Sequence, residues 1–151
     1  MRLDLKNEYN LIRIAVGNEW KTAFRTKKGL FEYTVMPFGL TNAPTSFQEM
    51  IDTIFKDTVG CIWYLNDILI FSGTTETEHQ ALVEQVLQLC INHVLAVNLP
   101  KSEFHVEQTL FLGHIINGKQ VQMDPSKLEA MSKWPTPTNQ KEVQAFLGFA
   151  N

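Results

Sequence analysis

Two short apolar runs, Cys61-Ile62-Trp63 and Ile68-Leu69-Ile70-Phe71, enclose the four residues Tyr64-Leu65-Asn66-Asp67. This arrangement constrains the chain more than any other. It reads as strand, turn, strand. The turn is expected on Asn66-Asp67, because both side chains tolerate unusual backbone angles and bond locally. Such a turn holds Asp67 at a fixed, exposed place on an otherwise apolar ribbon. A carboxylate held in that way suits metal binding. Taken alone, the four residues read first as a surface turn with a solvated Asp, since a short motif without context is weak. The neighbouring segments decide between the two readings.

The 151 residues, 44% hydrophobic and 19% charged, suffice for one domain with a core of its own. No apolar run reaches the roughly 18 residues a membrane span needs, so no membrane partner is expected. Met1-Arg2-Leu3-Asp4 lacks an apolar signal region. Cys61 and Cys90 both lie in apolar runs and read as buried thiols. The expected compartment is therefore reducing and intracellular, cytoplasm or nucleus. A net charge of −3 is not that of a stand-alone nucleic-acid binder. The local excess of Lys21, Arg25, Lys27 and Lys28 is where such affinity would rest. The chain opens inside an apolar strand-like run and stops inside the helical pattern Val143–Phe149, as a piece cut from a longer protein would.

Taken in order, Arg2-Leu3-Asp4-Leu5 alternates like a half-buried strand, with Asp4 facing away from Leu3 and Leu5. An apolar-rich stretch, 11–16, precedes the break at Gly17-Asn18. Trp20–Thr26 and Leu30–Met36, separated by Lys27-Lys28-Gly29, read as a hairpin. Pro37, Gly39 and Pro44 make 36–44 irregular. A helix is expected next, with Pro44 in its first turn and Thr41 or Asn42 as its cap. Phe47, Met50, Ile51, Ile54 and Phe55 form its buried stripe, and Gly60 follows its end. A second amphipathic helix is expected over 76–95, with Leu82, Val83, Val86, Leu87, Leu89 and Cys90 on its apolar side. After a connection at 98–105, Leu110–Ile116 and Lys119–Met123 flank Asn117-Gly118, a strong hairpin signal. Asp124-Pro125 opens a short helix carrying Leu128, Met131 and Trp134, and a last helix starts near Asn139. Hairpins mixed with helices imply α+β, with an antiparallel sheet and helices packed on one face.

If the first strand lies beside the 61–72 hairpin, Asp4 and Asp67 meet. Two carboxylates so close repel unless a divalent cation sits between them. Magnesium uses one or two carboxylates plus substrate phosphates, which suits phosphoryl or nucleotidyl transfer.

These segments resemble, in order and along nearly the whole chain, the reverse transcriptase of gypsy-type long-terminal-repeat retrotransposons. The matching text is Leu3-Asp4-Leu5 with Tyr9, Trp20–Thr26, Phe31-Glu32-Tyr33, Met36–Pro44, Phe47-Gln48 and Tyr64–Ser72. It continues through Phe111-Leu112-Gly113-His114, Asp124-Pro125, Lys127, Trp134-Pro135, Pro137 and Phe146-Leu147-Gly148. The resemblance implies a right-hand polymerase palm with truncated fingers and thumb. Residues 1–123 would be the palm, with the catalytic and primer-grip hairpins, and 124–151 the beginning of the thumb. It implies RNA-directed DNA polymerase activity with Mg2+ or Mn2+, an RNA or DNA template-primer and a deoxynucleoside triphosphate. Self-association of the truncated palm is a further expectation.

Carried over residue by residue, the resemblance makes Asp4, Asn66 and Asp67 the catalytic positions, with Asp4 and Asp67 the metal ligands. It makes Tyr9 the steric gate under the incoming sugar and places the backbone near Asn7 and Glu8 at the triphosphate. Phe38 would line the nucleotide pocket, Gln48 would lie near the template, and Lys101 would donate a proton to pyrophosphate. Phe111, Leu112, Gly113 and His114 would form the primer grip. Without the resemblance, Tyr9 reads as a core tyrosine, Phe38 as a loop aromatic and His114 as an ordinary strand histidine. Gln48 and Lys101 then read as solvated.

At the hairpin the family pattern is Tyr-x-Asp-Asp, and this chain carries Asn66 in place of the first Asp. Asn is neutral, so the site loses a ligand and a full charge. Glu8 adds a negative charge where relatives more often have a small residue, and Ser102 stands where many have Cys, an exchange expected to be neutral. The expectation is a polymerase fold with little polymerase activity. Two alternatives remain at this level: a non-catalytic descendant that binds nucleic acid or protein, and a metal-dependent ribonuclease using Asp4 and Asp67.

Overall fold

The computed structural model describes residues 1–72 and 75–150. The strands are β1 (Arg2–Lys6), β2 (Phe24–Thr26), β3 (Gly29–Phe31), β4 (Cys61–Tyr64), β5 (Asp67–Ile70), β6 (Ala96–Val97), β7 (Gln108–Phe111), β8 (His114–Asn117) and β9 (Val121–Met123). The helices are α1 (Ala43–Phe55), α2 (Glu76–Asn92), α3 (Pro125–Ser132) and α4 (Gln140–Ala150). The chain divides into two compact units, Met1–Val106 and Glu107–Asn151.

In the first unit the sheet order is β4-β5-β1-β6, with every neighbour antiparallel. The period-2 alternation of β1 puts Leu3 and Leu5 into the core. Ile68 and Ile70 of β5 and Cys61 of β4 join them. Phe47, Ile51 and Phe55 of α1, spaced four apart, lie against these residues, as do Val86 and Cys90 of α2. Both helices thus cover one face, as the α+β reading requires. Phe47 and Phe55 are fully buried, and truncating either to Ala would cost about 3–5 kcal/mol.

Several local expectations are corrected. The first hairpin is smaller than 20–36: Glu19–Thr22 winds into a 3₁₀ turn, and Gly29 pairs with Thr26, so Lys27-Lys28 alone is the turn. Asn42 occupies the cap position of α1 but its side chain makes no capping bond; its carbonyl accepts from Ser46 N–H at 3.0 Å. Helix α2, capped by Thr75, ends at Asn92 rather than 95. There Val94 turns left-handed (φ 59°), which lets the Leu95 amide reach the Cys90 carbonyl at 2.8 Å while Leu95 drops into the core. Gly60 is required by its surroundings: at φ 84° a Cβ would lie 2.8 Å from Leu82 Cδ2 and 2.8 Å from the Phe71 carbonyl oxygen.

In the second unit the apolar run 110–116 is two strands rather than one. It breaks at Leu112-Gly113, giving the order β7-β8-β9. The second of its hairpins turns on Gly118-Lys119, not Asn117-Gly118. Asn117 sits one place earlier, where its side-chain oxygen accepts from the Lys119 and Gln120 amides at 2.9 and 3.0 Å. Asp124 caps α3 through the Ser126 amide at 2.9 Å, and Trp134 packs on Phe146 and Phe149 of α4. Among the described residues no helix is long and apolar enough to cross a membrane.

Candidate active site on the central hairpin

β4 and β5 are joined by a two-residue turn. Tyr64 pairs with Asp67, so the turn is Leu65-Asn66 and Asp67 is the first strand residue rather than a turn residue. The left-handed angle falls on Leu65 (φ 49°), a residue with no intrinsic liking for it. The turn is held from outside. The Leu65 amide donates to Gln48 Oε1 on α1 at 2.8 Å, and the Leu5 amide donates to the Asn66 carbonyl at 2.8 Å.

β1 lies beside β5 in a register that sets Asp4 directly opposite Asp67. Both carboxylates are half-buried and stand on the face of the sheet away from α1 and α2. Asn66 Nδ2 donates a long hydrogen bond, 3.4 Å, to Asp4 Oδ2. The backbone of Asp4 is braced on its other side: its amide donates to Ser102 Oγ at 3.1 Å, and its carbonyl accepts from Asn98 N–H at 2.7 Å. The Ser102 hydroxyl in turn donates to the Asn98 carbonyl at 2.8 Å. Ser102 is therefore a working brace in this chain.

Burial pushes the Asp67 carboxyl above its ordinary value, and the Asp4 charge pushes it the same way; Arg2 and Lys101 oppose them. A carboxyl raised in the fold takes up a proton more readily folded than unfolded. Its contribution to stability is therefore present at low pH and lost as pH rises through its folded value. A divalent cation held between the two carboxylates would reverse that sign, because it would favour the ionised pair. The donor set is two carboxylates and one amide, enough for one hard cation that completes its shell with water and phosphate. Among the described residues no group of three or more His, Cys, Asp or Glu is placed to hold a metal ion.

The other expected residues of this unit gather around the same strand. Asn7, the residue after β1, takes a left-handed conformation (φ 54°, ψ 34°) and caps a 3₁₀ turn, Glu8–Leu11, which carries Tyr9. The Tyr9 ring meets Phe38 edge-on at 5.0 Å and Phe47 at 6.0 Å. Phe47 is core and Phe38 is exposed, so Tyr9 links the core to an exposed ring. Gln48 is half-buried and bonded at both ends of its amide, spanning α1 and the turn. Lys101 closes a 3₁₀ turn, Leu99–Lys101, whose last carbonyl accepts from Arg2 at 3.1 Å.

Phe111, Leu112, Gly113 and His114 belong to the second unit and form the β7–β8 turn. Leu112 and Gly113 take φ 49° and 77°. The Gly113 carbonyl accepts from Asp124 N–H at 3.0 Å, and His114 Nδ1 lies 3.0 Å from the Leu112 carbonyl. Phe111 is buried.

Sequence reasoning missed Arg2, Asp52, Trp63 and Asn98. Two of them carried a signal: Arg2 shares a face with Asp4 at i, i+2, and Asp52 follows Gln48 by one helical turn.

The family profile described as reverse transcriptase (RNA-dependent DNA polymerase) matches residues 1–116. The chain is 41% identical over 152 aligned positions to the Tf2-3 and Tf2-7 transposon polyproteins of Schizosaccharomyces pombe, covering 99% of this chain and 11% of each polyprotein. It thus spans about a tenth of the length of those relatives. A foamy viral protease-reverse transcriptase in complex with double-stranded DNA superposes with a TM-score of 0.84 at 27% identity, over 98% of this chain and 26% of that one. A foamy viral protease-reverse transcriptase in complex with an RNA/DNA hybrid superposes with a TM-score of 0.79 at 27% identity, over 98% of this chain and 20% of that one.

Proposed function

This chain belongs to the reverse transcriptase family, in its retrotransposon branch, and from that premise we propose that it carries the palm of an RNA-directed DNA polymerase whose nucleotidyl transfer is impaired at Asn66. The observation that carries this reading is the register Asp4 opposite Asp67, with the Asn66 amide turned to Asp4.

In this reading Asp4 and Asp67 hold Mg2+ or Mn2+. A cation held there would supply charge neutralisation to the phosphoryl group being transferred. Asn66 offers a neutral oxygen where the family pattern has a carboxylate. Losing that charge and ligand costs on the order of 10³-fold or more in rate. Tyr9, edge-on to Phe38, forms the floor of the nucleotide pocket, with the backbone at Asn7 and Glu8 facing the triphosphate. Glu8 adds repulsion there. Gln48 fixes the turn, and Lys101 stands close enough to act electrostatically on Asp67 and serves as proton donor to pyrophosphate. Phe111–His114 supply the primer grip. Residues 124–151, with α3 and α4, begin the thumb. An RNA/DNA hybrid or DNA duplex and a deoxynucleoside triphosphate are the partners.

A second reading is favoured by the same Asn66–Asp4 bond: a descendant that binds nucleic acid without turnover. Primer extension and RNA cleavage, each with Mg2+ and Mn2+, are measured on this chain beside Asn66→Asp. The proposal expects extension on the order of 10³-fold faster in the variant. Extension by the unmodified chain at the rate of Asn66→Asp overturns it. Salt-sensitive hybrid binding with no extension by either protein supports the binder. RNA cleavage lost in Asp4→Ala supports a ribonuclease.

A further inference from the structure

Asp52 is an exposed residue on α1, outside every motif of the family resemblance. One of its oxygens, Oδ1, accepts two hydrogen bonds: from Gln48 Nε2 at 2.7 Å and from Trp63 Nε1 at 2.8 Å. Gln48 in turn accepts from the Leu65 amide at 2.8 Å. Trp63, the residue before Tyr64 on β4, also packs on Phe55 at 5.7 Å. The Asp52 carboxylate therefore reaches the turn from both sides, through a helix residue and through a strand residue.

The chemistry of the groups gives this arrangement a direction. A carboxylate only accepts. Facing Asp52, the Gln48 amide must present its nitrogen, so its oxygen is left pointing at Leu65. Turned the other way, it would set NH₂ against the Leu65 N–H and lose both bonds. Leu65 needs that bond because it holds a left-handed angle that a leucine does not choose. The next two residues are Asn66 and Asp67.

The geometry points to Asp52 as a positioning residue: by fixing the orientation of Gln48 and the place of Trp63, it locks the Leu65-Asn66 turn and thereby the approach of Asp67 to Asp4. The metal consequence rests on the proposed cation site; the lock itself does not.

The test uses the full chain with Asp52→Ala and Asp52→Asn. The asparagine keeps an oxygen that can accept both bonds and removes only the charge. Amide exchange at Leu65 is followed with the indole N–H resonance of Trp63, and Mn2+ is then titrated. Asp52→Ala is expected to speed Leu65 exchange about tenfold and to shift the Trp63 indole towards its solvent-exposed position. It is also expected to weaken Mn2+ binding about fivefold. Asp52→Asn stays within about twofold of the parent in both exchange and affinity. Unchanged Leu65 protection in Asp52→Ala overturns the lock, and so does Asp52→Asn behaving like Asp52→Ala. If Asp52→Ala does not fold, Trp63→Phe, which keeps the ring on Phe55, must speed Leu65 exchange or the lock fails. Loosened Leu65 with unchanged Mn2+ affinity overturns the positioning role. A parent chain that takes up no Mn2+ contradicts the metal site instead, and Leu65 exchange still decides the lock.

Discussion

Two of the tight turns of this protein solve the same problem by different means. Leu65-Asn66 joins β4 to β5, and Leu112-Gly113 joins β7 to β8; each places a leucine at φ 49°. In the second turn the next residue is glycine at φ 77°, so both central residues take the angles that hairpin twist prefers, and Gly113 does so without strain. Its bonds come from His114 beside it and from the Asp124 amide at the start of α3. The first turn lacks the glycine and is held by a side chain from a helix, Gln48, 17 residues away. One turn is specified locally; the other exists because the fold around it imposes it. The turn that carries the acidic pair is the imposed one.

Five changes would break or sharpen this contrast. Gln48→Ala leaves the Leu65 amide without its partner and is expected to cost about 1–3 kcal/mol by urea unfolding of the first unit. Its counterpart, Gly113→Ala, meets only Lys127 Cδ at 3.9 Å. Its cost is therefore the backbone penalty alone, about 1–2 kcal/mol; a larger loss would mean hidden crowding at the second turn. Leu112 is exposed, so Leu112→Gly relieves strain without losing packing. It should stabilise the second unit by about 0.5–1 kcal/mol, the left-handed relief less the entropy of a glycine. The same exchange at Leu65, which packs against the core, should bring no gain. The smallest effect is electrostatic. Followed by carboxyl NMR, Asp67 should titrate above the ordinary Asp value, and Asp4→Asn should lower it only in part, because burial is the larger cause. A return to the ordinary value in Asp4→Asn would make repulsion the main cause.

Much of the fold was legible because its signals are periodic. The Leu3-Asp4-Leu5 alternation, the four-residue stripe of α1 and the apolar runs around the central turn each dictate one buried face. The acidic pair followed from one topological assumption, that β1 lies beside the hairpin. The rest depended on contacts no local pattern encodes. Leucine at a left-handed position contradicts turn chemistry, which placed the first turn one residue too late and hid the break inside 110–116. The Asp52–Trp63 bond spans 11 residues and joins a helix to a strand. The division after Val106 falls in no Gly- or Pro-rich linker.

The central claim is that this hairpin is a metal-binding turn one carboxylate short. Calorimetric titration of Mn2+ into the chain, Asn66→Asp and Asp4→Asn tests it without requiring turnover. Asn66→Asp adds a third carboxylate beside Asp4. It should bind Mn2+ at least about tenfold tighter, equivalent to about 1.4 kcal/mol, while Asp4→Asn should bind far more weakly than the parent. Equal affinity in the parent and Asn66→Asp would show that residue 66 does not face the cation, and would contradict the account.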